Sequence, residues 1–379
     1  MPWKSKTPVD LRIEFMKRVM KGETVAELCR EFGISRKTGD KFKQRFKRLG
    51  EAGLLDQSRA PKVIPHKTAP EVIKLLLEEK KRHPTWGPKK LKTQLEERLH
   101  TEMPAVSTIG DILERAGLVA KRGRRRAVPP QPTTLREALA PNDVWCIDYK
   151  GQFRLGNRSL CYPLTLTDQR SRFILGCDAM VAISDEEARE SCEEIFRRYG
   201  LPKAMRSDNG VPFASTGLAN LTKLSAYWLQ LGIELERIRP AHPEENGQHE
   251  RMHRTLKFET TRPPRTNLLQ QQERFDEFVE EFNTERPHEA LGMKRPAQVY
   301  KASPRKMPAV VPELDYPQHD DVLKVDRVGY IAHRRRRCYL STSLAHQTVG
   351  VREEPDGRWL VTFAKLDLGH VDITGFNPL

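Results

Sequence analysis

The chain has 379 residues, with 66 Lys and Arg against 51 Asp and Glu, a net charge of +15. That length allows roughly two to four domains, and no run approaches the ~20 apolar residues of a membrane span. The N-terminus MPWKSKTPVD lacks the apolar core of an export signal. The six cysteines are scattered with no C-x-x-C pair, which argues against a disulfide framework or zinc knuckle and suits a reducing compartment.

The charge excess is confined to one half. Residues 1–140 hold 32 Lys and Arg against 17 Asp and Glu, while the remainder holds 34 of each. A basic half of this kind is the electrostatic footprint of a nucleic-acid binder.

Residues 10–49 read as a helix-turn-helix. Val25, Ala26, Leu28, Cys29 and Phe32 give a short amphipathic helix that Gly33 closes, and Ser35 is placed to cap the next. That next helix, RKTGDKFKQRFKRLG, packs Phe42 and Phe46 and turns Arg36, Lys37, Asp40 and Lys41 towards a DNA groove. A second helical module covers 68–118, with Pro88 suited to a first helical turn and Ser107 to a cap. The run KRGRRR at 121–126 reads equally as a minor-groove arm carrying Arg122, Arg124 and Arg125 or as a solvated linker. A proline-rich stretch (PPQP) follows it.

From residue 142 the pattern changes to strands. VWCIDYKGQF, SLCYPLTLTD and SRFILGCDAM read as an antiparallel meander, followed by helix and strand in alternation: an α/β layout with a mixed sheet. Residues 301–317 are proline-rich and read as a second linker. The tail, with alternating strands and a turn at Asp356–Gly357, reads as a small β-barrel.

Residues 249–253, HERMH, fit the zinc-peptidase signature H-E-x-x-H. Helical spacing puts Met252 and Leu256 on a packing side, with His249 and His253 towards its flank. Glu250, Arg254 and Lys257 share the open side. Charged Arg251 between the histidines and the lack of an evident third ligand count against zinc. Glu250 instead groups with Asp148, within the first strand, and Asp208, at the end of a later strand where Asn209–Gly210 turns the chain. Asp168, at the far turn of the meander, reads as a turn residue, and Glu244 and Glu245 as solvated loop acids. Three clustered carboxylates are costly unless cations neutralise them. Two Mg²⁺ (or Mn²⁺) ions per active site would do so, and such a pair serves phosphodiester displacement. Arg254 and Lys257 would meet the phosphates of double-stranded DNA.

The ordered motifs VAELCREFGISRKTG, HPTWGPKKL, WCIDYKG, RSDNGVPFAS, RPAHPEENGQHERMHRTLK and FNTERPHEALGMKRPAQVY resemble the DDE transposases of bacterial insertion sequences. These belong to the retroviral-integrase superfamily, with a ribonuclease-H-like core. The resemblance implies that Asp148, Asp208 and Glu250 are the metal-binding catalytic triad and that Lys257 contacts DNA. The separation of 42 positions from Asp208 to Glu250 exceeds the spacing common in retroviral integrases, and the surplus is expected near STGLANLTKLSA.

The expected organisation is multidomain: a helix-turn-helix domain (1–60), a second helical DNA-binding domain (61–128), a ribonuclease-H-like catalytic core (135–300) and a small β-barrel (318–379). The expected activity is metal-dependent cleavage and strand transfer of DNA bearing terminal inverted repeats. The expected partners are that DNA, target DNA and at least a second copy of the chain, with no membrane. The expected location is cytoplasmic and nucleoid-associated. A catalytically silent, transposase-derived DNA-binding regulator is the alternative.

Overall fold

The structure, a computed structural model, describes residues 6–58, 67–119, 135–239, 242–334, 336–371 and 375–378. Two compact bodies divide after Thr68. In the first, α1 (Pro8–Met20), α2 (Val25–Glu31) and α3 (Arg36–Leu49) each begin on a hydroxyl cap. Thr7 and Asp10 cap reciprocally, and the Ser35 hydroxyl accepts from the Thr38 amide at 3.2 Å. Phe15, Met16, Leu28, Cys29, Phe42 and Leu54 form the core between the helices. At Gly39 a Cβ would fall 2.4 Å from Cys29 Sγ, so a side chain there would force α2 and α3 apart. This is the helix-turn-helix that the capping and periodicity predict.

The second body opens with α4 (Pro70–Arg82), α5 (Pro88–Leu99) and α6 (Val106–Arg115), packed around Leu76, Trp86, Leu91, Leu95, Ile109 and Leu113. Pro88 stands in the first turn of α5. Ser107 lies inside α6 rather than capping it, because the capping position falls two residues earlier, on Ala105, without a side-chain cap.

Six strands build the core sheet: β1 (Val144–Tyr149), β2 (Phe153–Arg154), β3 (Leu160–Asp168), β4 (Ile174–Met180), β5 (Ala204–Ser207) and β6 (Glu234–Arg237). β1, β3 and β4 form the antiparallel meander, while β5 and β6 continue the sheet in parallel from β1. The helices are α7 (Asp185–Tyr199), α8 (Lys223–Gln230), α9 (Gly247–Thr260) and α10 (Leu268–Thr284). Strand alternation sorts them onto two faces. Trp145, Ile147, Leu164 and Leu166 pack against Cys192 and Phe196 of α7 and Leu224 and Trp228 of α8. Cys161, Ile174 and Cys177 pack on the other side against Met252 and Leu256 of α9 and Phe275, Phe278 and Phe282 of α10.

α10 also seals the outer edge of β4. The Asn283 amide bonds both the N–H and the C=O of Ile174, each at 2.9 Å. Gln272 accepts from the Ala179 amide at 2.7 Å and donates to the Cys177 carbonyl at 3.0 Å. Edge backbone groups that would otherwise face solvent are thereby met by side chains.

The second helical module is bolted to this core. His83 Nδ1 lies 2.8 Å from Glu281 Oε1, Arg286 donates to the Thr85 hydroxyl at 2.6 Å, and Arg286 pairs with Glu259 at 3.2 Å. Lys89 pairs with Glu289, and Arg295 donates to Gln94 at 2.9 Å.

The proline-rich segment 301–317 is a strap held on the core, not a free linker. Ser303 donates from its amide to the Tyr199 carbonyl at 2.8 Å and from its hydroxyl to the Leu201 carbonyl at 2.7 Å. Arg305 reaches the carbonyls of Leu231 and Gly232 at 3.0 and 2.9 Å. Its composition reads as a linker because prolines cannot donate to a ladder; the strap binds instead by donating to core carbonyls and by accepting at the Arg305 carbonyl from the Leu201 amide at 2.7 Å.

The C-terminal strands are β7 (Asp321–Lys324), β8 (Tyr330–His333), β9 (Arg336–Tyr339), β10 (Thr348–Glu353), β11 (Trp359–Phe363), β12 (Leu366–Val371) and β13 (Phe376–Pro378). They form an open sheet in the order β13-β12-β11-β10-β7, with β8 and β9 as a separate hairpin. Among the described residues no ladder joins the sheet's two margins, so the expected closed barrel is not formed. Asp356–Gly357 makes the turn between β10 and β11, with Gly357 at φ +80°. This module rests on the surplus segment before α9: Leu221 and Ala226 enter its core, and Ser343 donates to the Leu221 carbonyl at 2.8 Å.

Candidate active site and nucleic-acid surfaces

Asp148 lies on β1. Because Trp145, Ile147 and Tyr149 turn towards α7 and α8, Asp148 turns towards α9. β5 runs parallel beside β1 and ends at Ser207, so Asp208 emerges next to that strand. The turn after it is tied down: Gly210 donates its amide to Asp208 Oδ1 at 3.0 Å, and the Asn209 amide reaches the Ile238 carbonyl at 2.7 Å. Glu250 is exposed in the first turn of α9, where a helix N-terminus favours an anion.

The Asp148 carboxyl is pushed up to about 7. Burial is the main cause; the negative charge of Asp208 adds to it, and that of Glu250 further, against Lys150 and a backbone N–H that favour ionisation. Asp148 thus feels the charge of both other carboxylates.

His249 and His253 are 2% and 3% exposed and occupy the buried side of α9, beside Met252 and Leu256. Burial holds both neutral: His249 falls to about 3, and His253 is likewise lowered, first by burial and then by His249. Among the described residues, Asp148, His249 and His253 bring potential ligand atoms within 4.8 Å of one another. The hydrogen bonds between these histidines and Thr165 and Thr167 were not readable in the sequence, since the threonines lie more than 80 residues away on β3.

Asp168 is a turn residue, as expected: its carboxylate accepts from the Asn142 and Ser171 amides, both at 2.7 Å. Glu245 is not solvated. Its side chain is 3% exposed and accepts from the Arg239 amide at 2.8 Å and from Arg239 Nε at 2.7 Å. The acid is buried because it closes the loop that leads into α9.

Arg36, Lys37 and Lys41 are exposed and, with Asp40 and Gln44, line one shallow concavity at the start of α3. Arg254 and Lys257 are exposed on the side of α9 that carries Glu250. Arg122, Arg124 and Arg125 lie outside the described residues.

Family models match in the same order as these elements. A helix-turn-helix domain matches residues 11–62 and a homeodomain-like domain residues 38–113. Integrase core domain models match residues 138–243 and 231–296. The chain is 26% identical over 190 residues to the insertion element IS407 uncharacterized 31.7 kDa protein of Burkholderia multivorans, covering 49% of this chain and 66% of that protein. It is 28% identical over 176 residues to the Gag-Pol polyprotein of baboon endogenous virus, covering 46% of this chain and 10% of the polyprotein. The chain therefore spans less than two thirds of the length of either relative. Among solved structures, the HTLV-2 integrase catalytic core domain in complex with magnesium aligns with a TM-score of 0.35 and 15% identity, over 44% of this chain and all of that one. A simian T-cell lymphotropic virus intasome in complex with the PP2A regulatory subunit B56 gamma aligns at 0.38 and 18%, over 80% of this chain and 99% of that one. One chain therefore carries matches to helix-turn-helix and homeodomain-like domains followed by matches to an integrase core domain, and it is similar in sequence to an insertion-element protein and to retroviral polyproteins.

Proposed function

We propose that the chain is an insertion-sequence transposase that binds terminal inverted repeats and joins their ends to target DNA, acting as at least a dimer. Asp148, Asp208 and Glu250 would hold two Mg²⁺ (or Mn²⁺) ions. The observation that carries this reading is Asp148: a half-buried carboxyl raised first by that burial and then by the charges of Asp208 and Glu250 is a site that a cation relieves, and carboxylate oxygens suit Mg²⁺. Bound there, the ions would activate the attacking oxygen and stabilise the leaving one.

The protein's own residues supply the rest. Arg254 and Lys257, on the Glu250 side of α9, would hold the phosphates of the strand end. Arg36, Lys37 and Lys41 would read the repeat, and Arg122, Arg124 and Arg125 would follow a minor groove beside it. Water first cleaves a phosphodiester and leaves a 3′-hydroxyl. That hydroxyl then attacks a target phosphodiester, forming one P–O bond while another breaks.

The test uses DNA from the flanks of the gene as substrate for the full-length chain. Asp148→Asn, Asp208→Asn and Glu250→Gln should each abolish Mg²⁺-dependent joining while repeat binding stays near wild type. Wild-type joining by Glu250→Gln would remove that residue from the triad. A wild-type chain that binds repeats yet joins nothing with Mg²⁺ or Mn²⁺ would be the silent regulator.

A further inference from the structure

His249 and His253 are left over once Glu250 has been placed, and their surroundings give them a task. Thr165 is the cross-strand partner of Asp148, and Thr165 and Thr167 both face α9. The Thr165 hydroxyl lies 2.7 Å from His249 Nε2, 2.6 Å from His253 Nε2 and 3.1 Å from the Asp148 carbonyl. The Thr167 hydroxyl lies 2.8 Å from His249 Nδ1. His253 Nδ1 is 3.6 Å from Asp148 Oδ2, a length at which the ring acts through its dipole rather than a formed hydrogen bond.

Counting protons narrows the arrangement. A hydroxyl has one hydrogen to give and two lone pairs to receive. If Thr165 gives its hydrogen to the Asp148 carbonyl, both rings must donate from Nε2. His253 then turns a bare Nδ1 lone pair on the Asp148 carboxylate. If Thr165 gives its hydrogen to His253 Nε2 instead, His253 carries its proton on Nδ1 and presents it to Asp148. His249 then donates from Nε2 to Thr165 and accepts from Thr167 at Nδ1. The second arrangement gives up the Thr165 bond to the Asp148 carbonyl, and it is the one of the two that favours an ionised Asp148.

Packing by itself does not call for this network. Four buried polar side chains cost free energy unless all are paired, and apolar residues of the same shape would fill the space at little or no loss.

We propose that His253 and His249 are positioning residues for the metal-binding carboxylates. His253, its tautomer set by Thr165, steadies the Asp148 carboxylate, and the pair fixes the register of α9, and so Glu250, against β1. The proposal rests on the reading of Asp148 and Glu250 as metal ligands.

Asn and Gln at position 253 separate the two ring nitrogens. The amide nitrogen of Asn reaches where Nδ1 stands; that of Gln reaches where Nε2 stands. With the full-length chain, His253→Asn should hold the Mg²⁺ requirement of joining close to wild type. His253→Gln and His253→Leu should raise the half-saturating Mg²⁺ or lower the single-turnover rate by about 10- to 100-fold, as loss of a partner behind a metal ligand does. Repeat binding should not change.

Mg²⁺-dependent thermal stabilisation gives a second readout that needs no joining, since a ligand of the folded state raises its melting temperature. His253→Gln should shift that titration to higher Mg²⁺, and His253→Asn should not. If wild type is stabilised by Mg²⁺ but joins nothing, the transposase reading fails while the positioning role is still measured. Equal behaviour of the Asn, Gln and Leu variants in this titration would overturn the proposal. So would stoichiometric zinc that copurifies with wild type and is lost in His249→Ala and His253→Ala, because the three residues would then be a zinc site themselves.

Discussion

Arg286 donates to the hydroxyl of Thr85 at 2.6 Å, from a position 201 residues further along the chain. The same guanidinium pairs with Glu259 at the end of α9, and both side chains are almost wholly buried. One residue therefore joins the second helical module, α9 and the segment after α10.

Removing this cation should loosen all three. Arg286→Ala leaves the mostly buried Glu259 with the Thr85 hydroxyl but without its guanidinium, and breaking a buried pair typically costs about 3–5 kcal/mol. Equilibrium denaturation should show that loss, and limited proteolysis should cut within residues 69–119 first. Unchanged stability would mean that the seam is held elsewhere.

Lys90 makes a pH-dependent contribution near the same seam. Its pKa is lowered to about 7, first by burial and then by the charge of Arg286, against the attraction of Glu259. The folded chain gives up this proton near pH 7, whereas the unfolded chain keeps it to about pH 10.4. Between those values the unfolded state binds more protons, so stability rises with pH by up to about 1.4 kcal/mol per unit from this group. Lys90→Met should flatten the rise between about pH 7 and about pH 9.5, measured by chemical denaturation of both proteins. Parallel curves would show that Lys90 is charged in the folded state.

Asn283→Ala should strip the cap from Ile174. Two buried backbone groups then lose their partners, at about 1–3 kcal/mol each. The exposed β4 edge should also promote aggregation, seen as increased light scattering at fixed protein concentration. Asn283→Gln would not restore the pair, since the longer side chain displaces both contacts.

Arg36→Ala and Lys37→Ala should narrow the gap between repeat and random DNA by about 1–3 kcal/mol for each side chain that reads a base edge. Binding titrations on both DNAs at one salt concentration measure this. An equal loss on both would make the residues phosphate contacts.

What the sequence discloses and what it hides follow from range. The caps Thr7, Thr24 and Ser35 act within three residues, and the faces of α9 follow from spacing alone, so the helix-turn-helix and the exposed row Glu250, Arg254 and Lys257 are legible. The alternation of Trp145, Ile147 and Tyr149 likewise tells which face Asp148 takes. Glu245 looked solvated because its loop is polar, and its partner Arg239 becomes visible only when the loop is closed. The shared hydroxyl of Thr165 could not be read, because a motif of five letters carries no sign of a strand 84 residues earlier. The strap at 301–317 was hidden for a related reason: Arg305 binds main-chain carbonyls, which every sequence has.

Gln272 and Asn283 cover one margin of the core sheet, and at the opposite margin Arg136 lies over Glu234 and Glu236 of β6. A strand offered by another molecule meets side-chain amides on the first side and fixed charges on the second. It can lengthen this sheet only by evicting one set or the other. Copies of the chain brought together on DNA, as in the proposed function, would then join through helices, loops or the nucleic acid itself, and each would keep its own six strands.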